Sequence, residues 1–139
     1  MPFVLDASTA ACWAFDDEDH PTAALALELI RTDEAIVPAL WWFEVRNTLI
    51  VNERRGRIGE AKTATFLTLL ASLNIALDTA PDEIGVLALA RLHRLSVYDA
   101  AYLDLAKRAN APLATLDGAL TKAARTAGVA LVGKELARS

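Results

Sequence analysis

The sequence predicts a single α/β domain organised by a short, largely parallel sheet. Two observations carry this reading. Short apolar runs alternate with longer segments of helical period, the pattern of strands joined by crossover helices. Ala and Leu together supply 50 of the 139 residues, so helices make up most of the mass even where a sheet organises it. The chain's 15.0 kDa fits one domain.

The elements follow in order. Phe3-Val4-Leu5 reads as the first strand, and a helix begins at Ala7 or Ser8 with Asp6 placed to cap it. Pro21 starts a helix that ends near Thr32, because proline suits the first helical turn. Ala35-Ile36-Val37 is the second strand. Two helices fill residues 40–73, broken at Gly56-Arg57-Ile58-Gly59, where glycine supplies the left-handed conformation that ends helices. Ile75-Ala76-Leu77 is the third strand, followed by a helix from Pro81 to near His93. Ser96 with Asp99 three residues later has the form of a capping box, with Asp in place of Glu or Gln. Leu113-Ala114-Thr115 is the fourth strand, a helix runs from beyond Asp117 to Gly128, and Ala130-Leu131-Val132 is a fifth strand.

Composition removes several classes of function. A hydrophobic fraction of 54% with 23% charged residues describes a chain that buries a core. One cysteine, Cys12, excludes an intrachain disulfide framework. With only His20 and His93 beside it, a structural zinc site of four Cys and His ligands is also excluded. No apolar run approaches the ~20 residues that span a bilayer, and the start has no secretory pattern, so the expectation is a soluble, cytoplasmic protein. Net charge is −4, which argues against broad adhesion to nucleic acid, but it is unevenly spread. Residues 1–53 carry a net −8 and residues 54–139 a net +4, which allows an acidic centre beside a basic rim.

Four acids stand out by position. Asp6 and Asp117 each directly follow a strand, and ligands of open parallel sheets sit at strand C-terminal ends. If their strands are neighbours, the two converge over one crevice; each also suits a helix N-cap. Glu44 interrupts the apolar stretch Pro38-Ala39-Leu40-Trp41-Trp42-Phe43-Glu44-Val45 and shares a helical stripe with Leu40, Asn47, Thr48 and Val51, so it is either solvated or a half-buried carboxylate that takes a metal or an Arg such as Arg46 as partner. Asp99 lies in the first turn of its helix, which favours its ionised form. Carboxylates alone make an oxygen-only site, suited to Mg²⁺ or Mn²⁺ rather than zinc. The chemistry natural to such a site is phosphodiester hydrolysis. Trp13, Trp41, Trp42 and Tyr102 read as core or interface residues, and no Gly-rich phosphate loop or Ser-His-Asp set is recognisable.

With these segments in view, Val4-Leu5-Asp6-Ala7-Ser8, residues 38–49 with Glu44, residues 96–106 with Tyr98-Asp99-Ala100, and residues 113–117 together resemble a PIN-domain ribonuclease, specifically a VapC-type toxin of a toxin–antitoxin pair. The resemblance covers nearly the whole chain. It implies a single PIN-like domain with a central parallel sheet flanked by helices on both faces. It also implies that Asp6, Glu44, Asp99 and Asp117 meet at one pocket, with Asp6 and Asp99 the most direct Mg²⁺ ligands and Mn²⁺ able to substitute. Ser8 and Thr115 match hydroxyl positions that support those ligands. The implied activity is endonucleolytic cleavage of RNA to 5′-phosphate and 3′-hydroxyl ends. The implied partners are an RNA substrate, a cognate antitoxin whose inserted Arg pairs with the acids, and a second copy of the chain. Arg54, Arg55, Arg57, Lys107, Arg108, Lys122 and Arg125 are candidates for steering RNA phosphates. Rival readings are a catalytically silent PIN-like binding module and a Mg²⁺-dependent phosphatase or receiver-like domain. A dehalogenase-like phosphatase would need an acid where Ser8 stands, and a receiver an acidic pair at Asp6.

Overall fold

The computed structural model describes residues 1–133. Four strands, β1 (Phe3–Leu5), β2 (Ala35–Pro38), β3 (Ile75–Asp78) and β4 (Leu113–Ala114), form one parallel sheet in the order β3-β2-β1-β4. The helices are α1 (Ala7–Cys12), α2 (Pro21–Leu29), α3 (Leu40–Arg54), α4 (Glu60–Ser72), α5 (Glu83–His93), α6 (Val97–Ala109) and α7 (Gly118–Thr126). The chain steps from β1 to β2 to β3 in one direction and then crosses back to β4. Parallel crossovers are right-handed, so α1–α4 fall on one face of the sheet and α5–α6 on the other. The reversal makes the β1–β4 boundary the topological switch point, where the C-terminal ends of adjacent strands open a crevice.

The expected fifth strand is the one element that fails. Residues 130–132 contribute only an isolated parallel bridge, Leu113 to Leu131, flanked by the Leu113–Ala130 and Val132–Leu113 backbone hydrogen bonds. A β4 of two residues offers too short an edge to template a longer partner. Local punctuation otherwise follows the sequence closely. Gly56 (φ 74°) and Gly128 (φ 76°) take the left-handed conformation after α3 and α7. Helix α2 stops three residues before Thr32, and α5 starts at Glu83 rather than Pro81.

β1 is buried end to end, with Phe3, Val4 and Leu5 at 1% exposure or less, because a central strand is covered on both faces. Tyr102 and Leu103 of α6, Val45 and Leu49 of α3, and Leu113 and Leu120 complete the core around it. Trp41 is buried there as expected, whereas Trp42 stays partly exposed with the Arg46 guanidinium 3.9 Å above its ring.

Candidate metal centre

Asp6 emerges from the buried end of β1 and caps α1. Its Oδ1 accepts hydrogen bonds from the Thr9 backbone N–H (2.9 Å), the Thr9 hydroxyl (2.8 Å) and the Ser8 hydroxyl (2.8 Å). Its Oδ2 accepts from the Thr115 hydroxyl, which reaches across from the end of the neighbouring β4. Capping and a functional position are therefore compatible: the cap occupies Oδ1 threefold, while Oδ2 keeps lone-pair capacity. The Thr115 oxygen in turn accepts the Asp117 backbone N–H at 3.0 Å, which ties the two acidic strand ends together. Asp117 caps α7 by accepting the Leu120 N–H at 2.8 Å, a bond that uses one carboxylate oxygen, Oδ2. Asp99 stands in the first turn of α6, its N–H bonded to the Ser96 hydroxyl at 3.0 Å.

Glu44 is half-buried on α3, and its partner is neither Arg46 nor solvent alone. The Tyr102 hydroxyl donates to Glu44 Oε1 at 2.5 Å, while Arg46 bonds the Trp42 carbonyl instead. The same tyrosine oxygen lies at the Ala7 backbone, the first turn of α1. Tyr102 thus links the helices that carry Glu44, Asp6 and Asp99. Sequence reading placed Tyr102 in the core and missed this hydroxyl, as it missed Thr9. The available signal was helical spacing, since Tyr102 falls three residues after Asp99, on the same face.

The four carboxylates share one electrostatic environment. Burial pushes Asp6 up from the usual carboxylate range, held back only by its hydroxyl and N–H donors. Glu44 is raised by burial and then by the negative charges of Asp99 and Asp6, against the lowering effect of the Tyr102 bond. Asp99 is raised by burial and by Asp117 and Asp6. What opposes these shifts is hydrogen bonding, with no cation contributing to any of the three. Arg57 and Arg108 are committed elsewhere, Arg57 to Asp17 (3.2 Å) and Arg108 to Asp78 (2.8 Å) and Asp104 (2.7 Å). Acids raised by burial and by one another's charge, with no cation among the described residues lowering Asp6, Glu44 or Asp99, fit a divalent cation. Among the described residues, no three of these acids bring carboxylate oxygens within 4.8 Å of one another. Among the described residues, the group that meets that closeness is a different one: Cys12, Glu18 and His20.

Comparison with known proteins agrees with this architecture. The PIN domain family model matches residues 3–126. Ribonuclease VapC3 of Pyrobaculum aerophilum is 33% identical over 125 residues, which cover 88% of this chain and 94% of that protein. Among solved structures, PAE2754 from Pyrobaculum aerophilum superposes with a TM-score of 0.74 at 24% identity, covering 99% of this chain and 94% of that one. FitAcB from Neisseria gonorrhoeae gives 0.66 at 17% identity, with 96% and 97% covered. VapC20 of Mycobacterium tuberculosis, a sarcin–ricin loop cleaving toxin, gives 0.60 at 15% identity, with 87% and 94% covered.

Proposed function

The chain belongs to the PIN-domain family and is of the VapC type, and from that premise we propose that it is the endoribonuclease toxin of a toxin–antitoxin pair, with Asp6, Glu44, Asp99 and Asp117 as its divalent-metal site. The observation that carries the proposal is the convergence of four carboxylates at the switch point, three of them raised by burial and two of those, Glu44 and Asp99, also by the charges of neighbouring acids of the same set.

Asp6 and Asp99 would hold Mg²⁺, or Mn²⁺ in its place, with Glu44 and Asp117 completing the site directly or through water. A bound ion supplies polarisation of a phosphoryl oxygen and acidification of a water. The chain's own residues do the rest. Thr115, Thr9 and Ser8 fix the Asp6 carboxylate, so that Oδ2 needs no reorganisation on binding. Tyr102 holds Glu44 by its Oε1 and leaves Oε2 to orient the attacking water. The products are 5′-phosphate and 3′-hydroxyl ends.

The antitoxin occupies the same pocket. A groove of about 550 Å³ lined by Pro38, Leu40, Val86, Val97 and Tyr98 opens one residue from Asp99, and its apolar wall suits a peptide segment that carries an Arg onward to the carboxylates. The toxin works as a homodimer in the cytoplasm. In keeping with that location, no helix among the described residues is long and apolar enough to cross a membrane.

RNA cleavage by the antitoxin-free protein tests the reading. Cleavage with Mg²⁺ that stops with EDTA and with Asp6→Asn supports it. Undiminished cleavage in EDTA refutes the metal site, and no cleavage despite bound Mn²⁺ favours a silent binding module.

A further inference from the structure

A second cluster lies at the other end of α1, one helix length or ~9 Å from Asp6. Cys12 ends the helix with its thiol buried, and the chain then turns twice, through the Phe15 N–H to the Cys12 carbonyl (3.2 Å) and the Glu18 N–H to the Phe15 carbonyl (3.4 Å). These turns bring Glu18 and His20 back onto the thiol. Cys12 Sγ, a Glu18 carboxylate oxygen and a His20 ring nitrogen all lie within 4.8 Å of one another.

Several features set these three side chains apart from their neighbours. Asp16 and Asp17 are drawn away by Lys62 (3.0 Å) and Arg57 (3.2 Å), which leaves Glu18 on the thiol side. His20 occupies the N-cap position of α2 yet makes no capping bond with its side chain. The Trp13 indole N–H donates to the Ala23 carbonyl at 2.8 Å and pins the end of α1 to α2, so the loop's geometry is set independently of the cluster.

We propose that Cys12, Glu18 and His20 bind one Zn²⁺-class cation, with the fourth tetrahedral position open to water. A sulfur, nitrogen and oxygen donor set selects a borderline-soft ion over the Mg²⁺ suited to the carboxylate pocket. The three ligand atoms, within 4.8 Å of one another, stand near the spacing that one tetrahedral ion requires. The charges balance: the thiol releases its proton to solvent, and thiolate, carboxylate and neutral imidazole together cancel the dication. The exposed positions of Glu18 and His20 give the ion its entry path. Bound metal closes the loop between α1 and α2 and so braces the helix that Asp6 caps. The expectation of no zinc site assumed four Cys and His ligands; three mixed ligands and a water escape that count.

Co²⁺ titration of the full chain in excess Mg²⁺ tests the proposal. The expected result is one equivalent of Co²⁺ with a near-ultraviolet thiolate-to-cobalt band, displaced by Zn²⁺, absent in Cys12→Ser and retained in Asp6→Asn. Glu18→Gln and His20→Gln change exposed residues, leave the fold intact by circular dichroism, and weaken binding about tenfold or more. No thiolate band in the wild-type chain overturns the proposal, as does a band whose affinity neither Glu18→Gln nor His20→Gln changes. Because the readout is spectroscopic, its failure leaves the ribonuclease reading untouched.

Discussion

Tyr102→Phe removes one oxygen atom from a fully packed core and leaves the ring in place, so its effects trace to the hydroxyl. That hydroxyl donates to Glu44 Oε1 at 2.5 Å. Hydrogen bonds to a charged partner contribute about 1.5–3 kcal/mol. Glu44 is half-buried and water partly replaces the lost donor, which places its share near 1.5 kcal/mol. In the site, Glu44 loses the contact that lowers its pKa, so the carboxylate forms only at higher pH. The acid limb of the rate–pH profile moves to higher pH, and cleavage at neutral pH falls roughly 10- to 100-fold, equivalent to about 1.4–2.8 kcal/mol of barrier. RNA cleavage measured against pH and Mg²⁺, with urea unfolding alongside, reads all three effects. Lower stability with an unmoved profile and wild-type rate would refute a role for Tyr102 in positioning Glu44.

Asp6→Asn and Asp99→Asn lower cleavage by orders of magnitude while circular dichroism reports a native fold; wild-type cleavage by either removes that residue from the site. In metal-free protein the raised pKa of Asp6 makes the folded state hold its proton more tightly than the unfolded chain, so ionising it costs stability as pH rises from about 4 toward neutrality. Asp6→Asn therefore gains stability relative to wild type over that rise in EDTA, and saturating Mg²⁺ reverses the difference; urea midpoints from pH 4.5 to 7.5 measure it. Thr115→Val keeps volume but removes the donor to Asp6 and the acceptor of the Asp117 N–H, costing about 1–3 kcal/mol in thermal unfolding and reducing cleavage with it. Unchanged stability in that variant would contradict the bridge between the two strand ends.

Asp6 and Asp117 could be paired from the sequence because strand ends are local signals, and adjacency of their strands was the only missing fact. The β3-β2-β1-β4 order supplies it. The partner of Glu44 was not legible, because 58 residues separate it from Tyr102 and nothing local distinguishes a tyrosine that fills the core from one whose oxygen faces an acid. Residues 130–132 misled for a related reason. Their short apolar run is that of a buried strand, but ladder length depends on how much of β4 is present to pair with, a property of another segment. Arg57 and Arg108 stood among the candidates for steering RNA phosphates, and the fold brings Asp17 and Asp78 beside them instead, pairings between segments too far apart in the chain to be read from it. Local punctuation was readable to within a few residues, as at the ends of α2 and α5, while the larger misses involve contacts between segments distant in the chain.

The central claim is that four carboxylates from four segments act as one cation site. A crystal structure of the metal-stripped protein soaked in Mn²⁺, with anomalous differences recorded, tests it most directly. The expected result is an anomalous peak among Asp6, Glu44, Asp99 and Asp117 that disappears in Asp6→Asn. Full Mn²⁺ occupancy elsewhere with no peak at those four residues would contradict it.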